Sequence, residues 1–176
     1  PMVDTVIVGG GPAGASCALW LKMLGFKPCI IERRASLGGL QNDSPYPNQW
    51  IAPIFGKSGA EVAAEMHAHI LSHGIECRLG EAVVEVSSRG NGFAVTTDIG
   101  AQIDGKTVVL ASGVRPSTGD LKAALNLLVG PGVQVASQDF AGKQVAILGG
   151  GDNAFENYLF IKNRGAANVH IYARSI

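Results

Sequence analysis

The chain has 176 residues, 47% of them hydrophobic and only 16% charged, against a usual charged share of about a quarter. That balance suits a globular protein with a well-buried sheet and excludes a disordered chain. Fourteen basic residues offset fourteen acidic ones, and no apolar run approaches the roughly 20 residues that span a bilayer, so neither nucleic acid nor a membrane is an expected partner.

Val3–Val8 (VDTVIV) predicts a buried parallel strand that ends in a glycine cluster. Residues 13–24 predict a helix with Cys17, Ala18, Leu21 and Leu24 on its apolar face and Gly25 as its stop. Residues 27–32 predict a second strand, completing a βαβ unit of about 30 residues. Residues 35–57, rich in Gly, Pro, Asn and Ser, read as a long functional loop. Ser58 should cap a helix running to His73, with Glu61 three residues on and Gly74 ending it. Residues 82–87 and 92–97 predict strands joined by an Arg-Gly-Asn turn, and residues 107–110 a further buried strand. Residues 114–142 mix a short helical stretch, 120–128, with Pro-Gly punctuation. The opening pattern then returns: a strand at Gln144–Leu148, a glycine turn at 149–151, a helix over 154–163 and a strand over 169–172. The expected division is 1–115, a crossover over 116–142, and a second unit over 143–176.

Cys17, Cys29 and Cys77 are too few and too scattered for a disulfide framework. They read as small buried hydrophobes in a reducing cytosol, which places the protein in the cytoplasm. No Cys-x-x-Cys occurs. No leader is expected either, and Pro1 ahead of Met2 reads as a residue added before the native start.

Gly9-Gly10-Gly11-Pro12-Ala13-Gly14 fits G-x-G-x-x-G. Gly9 suits the tight turn, Gly11 a close approach of backbone to pyrophosphate, and Gly14 the packing of helix on strand. The helix N-terminus adds free N–H groups and a positive dipole end. Glu32 closes the second strand where an acid can accept hydrogen bonds from ribose hydroxyls. Together these predict a dinucleotide site.

VIVGGGPAGASCALWL, IIERR, LGGL, VVLASGVRP and VAILGGGDNAFENYLFI, in that order, resemble the flavoprotein pyridine-nucleotide oxidoreductases over the whole chain. Within them the likeness is to the low-molecular-weight thioredoxin reductase class. The resemblance implies an α/β fold of two Rossmann-like three-layer dinucleotide-binding units. The first would be nearly complete except for its C-terminal portion, and the second truncated. It implies FAD on the first turn, with pyrophosphate over Gly11, Pro12, Ala13 and Gly14 and ribose on Glu32. Gly38, Gly39 and Leu40 would run beside the flavin, Val83 would offer backbone to the adenine, and Ala111-Ser112-Gly113 would bring the chain back to the flavin. Ser112 stands where the family has Thr. The second turn, Gly149, Gly151, Asp152, Asn153 and Ala154, would hold a nicotinamide dinucleotide, and Arg174 could meet a 2′-phosphate. The family's NADPH signature is two adjacent arginines preceded by His, against Ala173, Arg174 and Ser175 here, so the reading leans to NADPH over NADH.

The resemblance implies an enzyme passing electrons from NAD(P)H through FAD, a homodimer in its full-length form. Hydride transfer needs no side-chain acid or base, so no catalytic residue is named. The stretch that carries the family's redox Cys-x-x-Cys, near residues 133–139, has no cysteine. The acceptor is therefore left as ferredoxin or flavodoxin, a small disulfide, or a quinone-like molecule. A flavin-binding module that acts through a partner surface is the competing reading. A flavin monooxygenase fits less well, because Phe140 and Gly142 are followed by Ala146 where that family has His. The family's FAD domain is discontinuous, so the chain reads as the front half of a longer enzyme.

Arg33 and Arg34 read either as adenine-side contacts or as a solvated basic pair. Asn48 reads either as an amide near the flavin ring or as part of a plain loop. His67, His69 and His73 share a helix, but no third ligand is evident; they read as solvent-facing, and no metal is expected.

Overall fold

The computed structural model describes residues 2–49, 51–115, 121–122, 124–130 and 132–174. They fall into two compact units, Pro1–Arg115 and Pro116–Ile176. The first runs β1 (Val3–Val8), α1 (Pro12–Met23), β2 (Pro28–Glu32), 3-10 turns at Gly39–Asp43 and Ala52–Ile54, α2 (Gly59–Ser72), β3 (Glu76–Leu79), β4 (Val83–Arg89), β5 (Gly92–Thr97) and β6 (Gln102–Leu110). Its six-stranded sheet has the order β3-β2-β1-β6-β5-β4. β1 lies parallel between β2 and β6, while β5 runs antiparallel to both β6 and β4.

The apolar strands take the centre. Ile7 and Ile30 face a core layer with Ala15 and Ala18 of α1 and Ile70 of α2. Val6, Cys29 and Ile31 pack on the other face with Val95 and Ile103. A fully buried Ile contributes about 1.5–3 kcal/mol, so these alternating layers fix the register of β1 against β2. α2 is capped as its sequence demands: Ser58 and Glu61 form a reciprocal capping box.

Three expectations need correction in detail. α1 starts one residue early, on Pro12, which has no N–H to lose at a helix start. Its Leu24 is not on the buried face but 67% exposed, beside Trp20 at 71%. β6 is longer than residues 107–110 and less buried. β5 pairs only with Gln102 to Gly105, so the far end runs past its neighbour and Leu110 is 74% exposed.

The second unit contains α3 (Val133–Ala136), β7 (Gln144–Leu148), α4 (Asp152–Asn163) and β8 (Asn168–Tyr172), with β7 parallel to β8. Val135, Phe140, Ile161 and Ala166 form its core. The expected helix over 120–128 is absent among the described residues; positions 120 and 123 lie outside them. In its place a single turn closes, with the Leu127 N–H donating to Ala124 O. Leu125 is fully exposed, and a stretch this short does not hold a helix without a surface to bury its apolar side. No described helix is long and apolar enough to cross a membrane.

Candidate functional site

At the C-terminal end of β1 the chain turns through Gly9, whose φ of +106° lies in the left-handed region that a side chain disfavours. The Gly9 N–H donates to Ile31 O at 2.9 Å. A Cβ on Gly14 would run into Gly9 O, with Ile7 directly behind it; helix and strand approach that closely. At Gly11 such a Cβ would make only an ordinary contact, 3.8 Å from the Gly39 Cα, and this glycine faces the cleft. α1 has no side-chain cap and no acid in its first turn. Its free N–H groups and positive dipole end therefore remain available to an anion.

These features border a cleft of about 230 Å³ lined by Gly9, Gly11, Pro12, Ala13, Glu32, Arg33, Arg34, Gly39, Leu40, Ala111, Ser112, Gly113 and Val114. Twelve residues named from sequence, all of the lining but Val114, thus converge from the ends of β1, β2 and β6, the start of α1 and the segment that follows β2. Gly14 and Gly38 pack behind this surface. Val83, paired with Thr97 at the start of β4, is not part of this lining. Asn48 also lies outside the lining: its side-chain amide donates to Lys57 O at 2.9 Å, and its own carbonyl accepts from Gly56 N–H at 2.7 Å. Asn48 thus closes its own loop through these two bonds.

Glu32 is 6% exposed. One carboxylate oxygen accepts the Gly10 N–H at 2.7 Å and the other the Arg34 N–H at 2.8 Å. The acid thus ties the glycine turn to the end of β2, and each oxygen keeps a second acceptor position. Arg34 pairs bidentately with Asp43 at 3.0 and 2.7 Å. That hydrogen-bonded carboxylate raises the already high guanidinium pKa. Arg33, in contrast, is exposed on the cleft rim.

The second glycine turn lines a larger cleft of about 770 Å³ within its own unit, and all five predicted residues, Gly149, Gly151, Asp152, Asn153 and Ala154, border it. The Gly149 N–H donates to Tyr172 O at 2.9 Å, repeating the Gly9 contact with Ile31. The registers repeat as well: Val8 pairs with Ile31 and Leu148 with Tyr172. Ala173 therefore stands where the first unit has Glu32, and Arg174 where it has Arg33. Arg174 is exposed and outside the lining of this cleft.

Several structural roles escaped the sequence reading. His67 is not solvent-facing: it is half-buried, and its Nδ1 accepts the Leu37 N–H at 3.2 Å. His69 and His73 pack edge to face at 4.8 Å between ring centroids. Asn157, 8% exposed, donates to Asn153 O at 2.7 Å and lines the second cleft. Its place on the apolar stripe with Ala154 and Ile161 was the available signal. Among the described residues no group of three His, Cys, Asp or Glu could hold a metal.

The cysteines sit in the first unit. Cys29 is fully buried on β2; burial, reinforced by the nearby Glu76 charge, pushes its thiol up to about 12. Burial and Glu76 also raise Cys77. Such thiols stay protonated at neutral pH, and the thiolate is the nucleophile.

A family model described as pyridine nucleotide-disulphide oxidoreductase matches residues 51–139, and an NAD(P)-binding Rossmann-like domain model matches residues 7–75. The chain is 32% identical to a ferredoxin–NADP reductase of Leuconostoc citreum, with 97% of this chain and 52% of that protein covered. It is 28% identical to a thioredoxin reductase of Helicobacter pylori, with 92% and 53% covered. The Lactococcus lactis thioredoxin reductase in its FR conformation superposes with a TM-score of 0.84 at 22% identity, over 98% of this chain and 56% of that one. That likeness establishes a shared fold. The chain spans about half the length of the curated relatives it matches. Because the first model extends over half of it, the chain belongs to the pyridine nucleotide-disulphide oxidoreductase family.

Proposed function

We propose that the protein is an FAD-dependent reductase of the thioredoxin-reductase-like class, taking electrons from NAD(P)H and delivering them to an acceptor other than its own dithiol. The observation that carries this reading is the first cleft. There an uncapped helix N-terminus, the Glu32 carboxylate and the Ala111–Gly113 return meet around open space. In this reading residues 1–115 bind FAD, 116–142 form the crossover and 143–176 begin the NAD(P)-binding unit. The Ala13 and Gly14 N–H groups would hold the pyrophosphate and Glu32 the ribose, with Gly38, Gly39 and Ala111 to Gly113 beside the flavin and Val83 toward the adenine. When bound, FAD supplies the two-electron acceptor for a nicotinamide hydride. The chain's own contribution is to bind, orient and screen, with no side chain serving as acid or base.

The second turn is assigned to the nicotinamide dinucleotide, and NADPH is favoured because Ala173 and Arg174 replace an acid with a cation past β8. Ferredoxin, flavodoxin, a small disulfide or a quinone-like molecule is the acceptor class. The ferredoxin–NADP reductase name of the 32%-identical relative favours the first of these. A homodimer in the cytoplasm completes the reading, the latter supported by three free cysteines. Anaerobic titration with NADPH and NADH tests it: the oxidised-flavin band should bleach stoichiometrically. Protein that cannot be loaded with FAD, or FAD that stays oxidised, would overturn the reading; the latter result points to a non-reducing flavin module.

A further inference from the structure

α2 presents Ala63, His67 and Ile70 at helical spacing toward the body of the first unit. Ala63 is 1% exposed and Ile70 is fully buried, so an apolar residue is expected between them. The chain has a histidine there. Its Nδ1 accepts the N–H of Leu37, the fully buried residue that opens the Leu37-Gly38-Gly39 strap. The strap is fastened again one residue later, where the Gly38 N–H donates to Gly10 O at 2.8 Å. Gly38 has φ +116°, and a Cβ on it would run into the Ala63 methyl. The small Ala63 and the acceptor His67, one turn apart, thus receive consecutive residues of one strap.

What the strap does next links this latch to the cleft. The Leu37 side chain fills the space beside Gly10, where a Cβ would meet its methyl group. Gly10 is the residue whose N–H Glu32 holds. Gly39, also left-handed at φ +56°, comes back against Gly11 and enters the cleft lining with Leu40. A side chain on α2 that touches no part of the cleft therefore sets both the wall opposite Gly11 and the packing beneath Gly10.

We propose that His67 is a positioning residue for the cofactor: a neutral imidazole whose bare Nδ1 latches the Leu37–Gly39 strap and so holds the first cleft in its binding shape. The proposal rests on the reading that FAD occupies this cleft. It assigns His67 no contact with FAD. The acceptor role requires the hydrogen to sit on Nε2, because an Nδ1–H would face the Leu37 N–H donor to donor.

The test compares His67→Leu, which removes the acceptor, with His67→Asn, whose Oδ1 can replace Nδ1. Loss of one hydrogen bond at the strap should weaken FAD about five- to ten-fold in His67→Leu, and His67→Asn should recover most of it. The bound flavin of His67→Leu should also show an altered visible circular dichroism band. An FAD affinity in His67→Leu equal to wild type, while the wild type binds FAD, overturns the positioning role and leaves the cofactor reading intact. A wild type that binds no FAD overturns both. Equal losses in the two variants overturn the acceptor role. Nitrogen-15 NMR of the wild-type imidazole keeps the proposal falsifiable if His67→Leu does not fold: Nδ1 must appear unprotonated, and a protonated Nδ1 refutes it.

Discussion

At the first glycine turn a Cβ on the third motif residue, Gly14, would strike Gly9 O, whereas the second turn carries Ala154 in the same place and still forms its helix. The first turn is tied from three sides: Gly9 to Ile31, Gly10 to Glu32, and Gly10 O to Gly38. At the second, Gly149 keeps its contact with Tyr172, but a Cβ on Gly149 or Gly151 would meet nothing within 4 Å. Two copies of one strand–turn–helix–strand order thus differ in how much of the binding shape is built before any ligand arrives. A turn fixed by its own chain holds its N–H groups in place, and that fixation lowers the ordering cost of binding.

The sharpest way to break this comparison is to substitute the third position of each turn. Gly14→Val should cost about 3 kcal/mol or more, the upper end of overpacking penalties, because backbone rather than a mobile side chain blocks it. It should also abolish FAD retention. Ala154→Gly should cost only about 1 kcal/mol of helix propensity. Urea midpoints with unchanged m-values read both changes; similar losses at the two sites would show that the turns are equally packed.

Glu32 is the next lever. Glu32→Ala leaves the Gly10 and Arg34 N–H groups without their acceptor and removes the proposed ribose contacts. With about 1.5–3 kcal/mol for each charge-assisted bond, FAD affinity should fall at least ten-fold. Glu32→Gln keeps the shape but sets an NH₂ against one of the two N–H donors, so it should recover only part of the loss. Full affinity in Glu32→Gln would mean that the ribose, and not the backbone, is what Glu32 serves.

Much of this was legible in the chain because it is local. The βαβ order, the capped α2 and both glycine turns follow from spacings within about 30 residues, where periodicity and turn chemistry speak directly. Glu32 could be found by counting from Gly9. Its double hold on Gly10 and Arg34 could not, because that depends on how β2 ends against the turn. His67 was hidden for a related reason: spacing alone groups it with His69 and His73, and only the path of residues 37–39 across α2 separates them. The helix expected over residues 120–128 fails in the opposite direction, since local apolar content suggested burial that the fold does not provide to Leu125.

The two units also differ in sulfur, since all three cysteines precede residue 78. Cys29 titrates near 12 in the folded protein instead of the ordinary 9.0, so the folded state holds its proton where the unfolded state has lost it. The stabilisation is fully present below about pH 9 and declines as pH rises toward 12, by up to about 1.4 kcal/mol per pH unit. Cys29→Ala should flatten that alkaline slope in chemical-denaturation series whatever it does to the midpoint at pH 7. An unchanged slope would place the alkaline sensitivity elsewhere.

The smallest effect expected concerns the positions past β8. Register sets Ala173 opposite the role of Glu32, and Arg174 opposite that of Arg33. An acid at the first of these would accept from a ribose 2′-hydroxyl and repel a 2′-phosphate, while a cation at the second attracts the phosphate. Arg174 is exposed, so solvent screens much of its charge. Arg174→Ala should weaken NADPH only about three- to ten-fold, with NADH unchanged. Ala173→Glu should move the preference further, by improving NADH and weakening NADPH together, because it alters both the acceptor and the sign of the local field. The ratio of the two dissociation constants is the measurement to make, since it cancels any general damage to the turn. A ratio that stays at the wild-type value in both variants would show that the end of β8 does not read the ribose, and the proposed preference for NADPH would lose its physical basis.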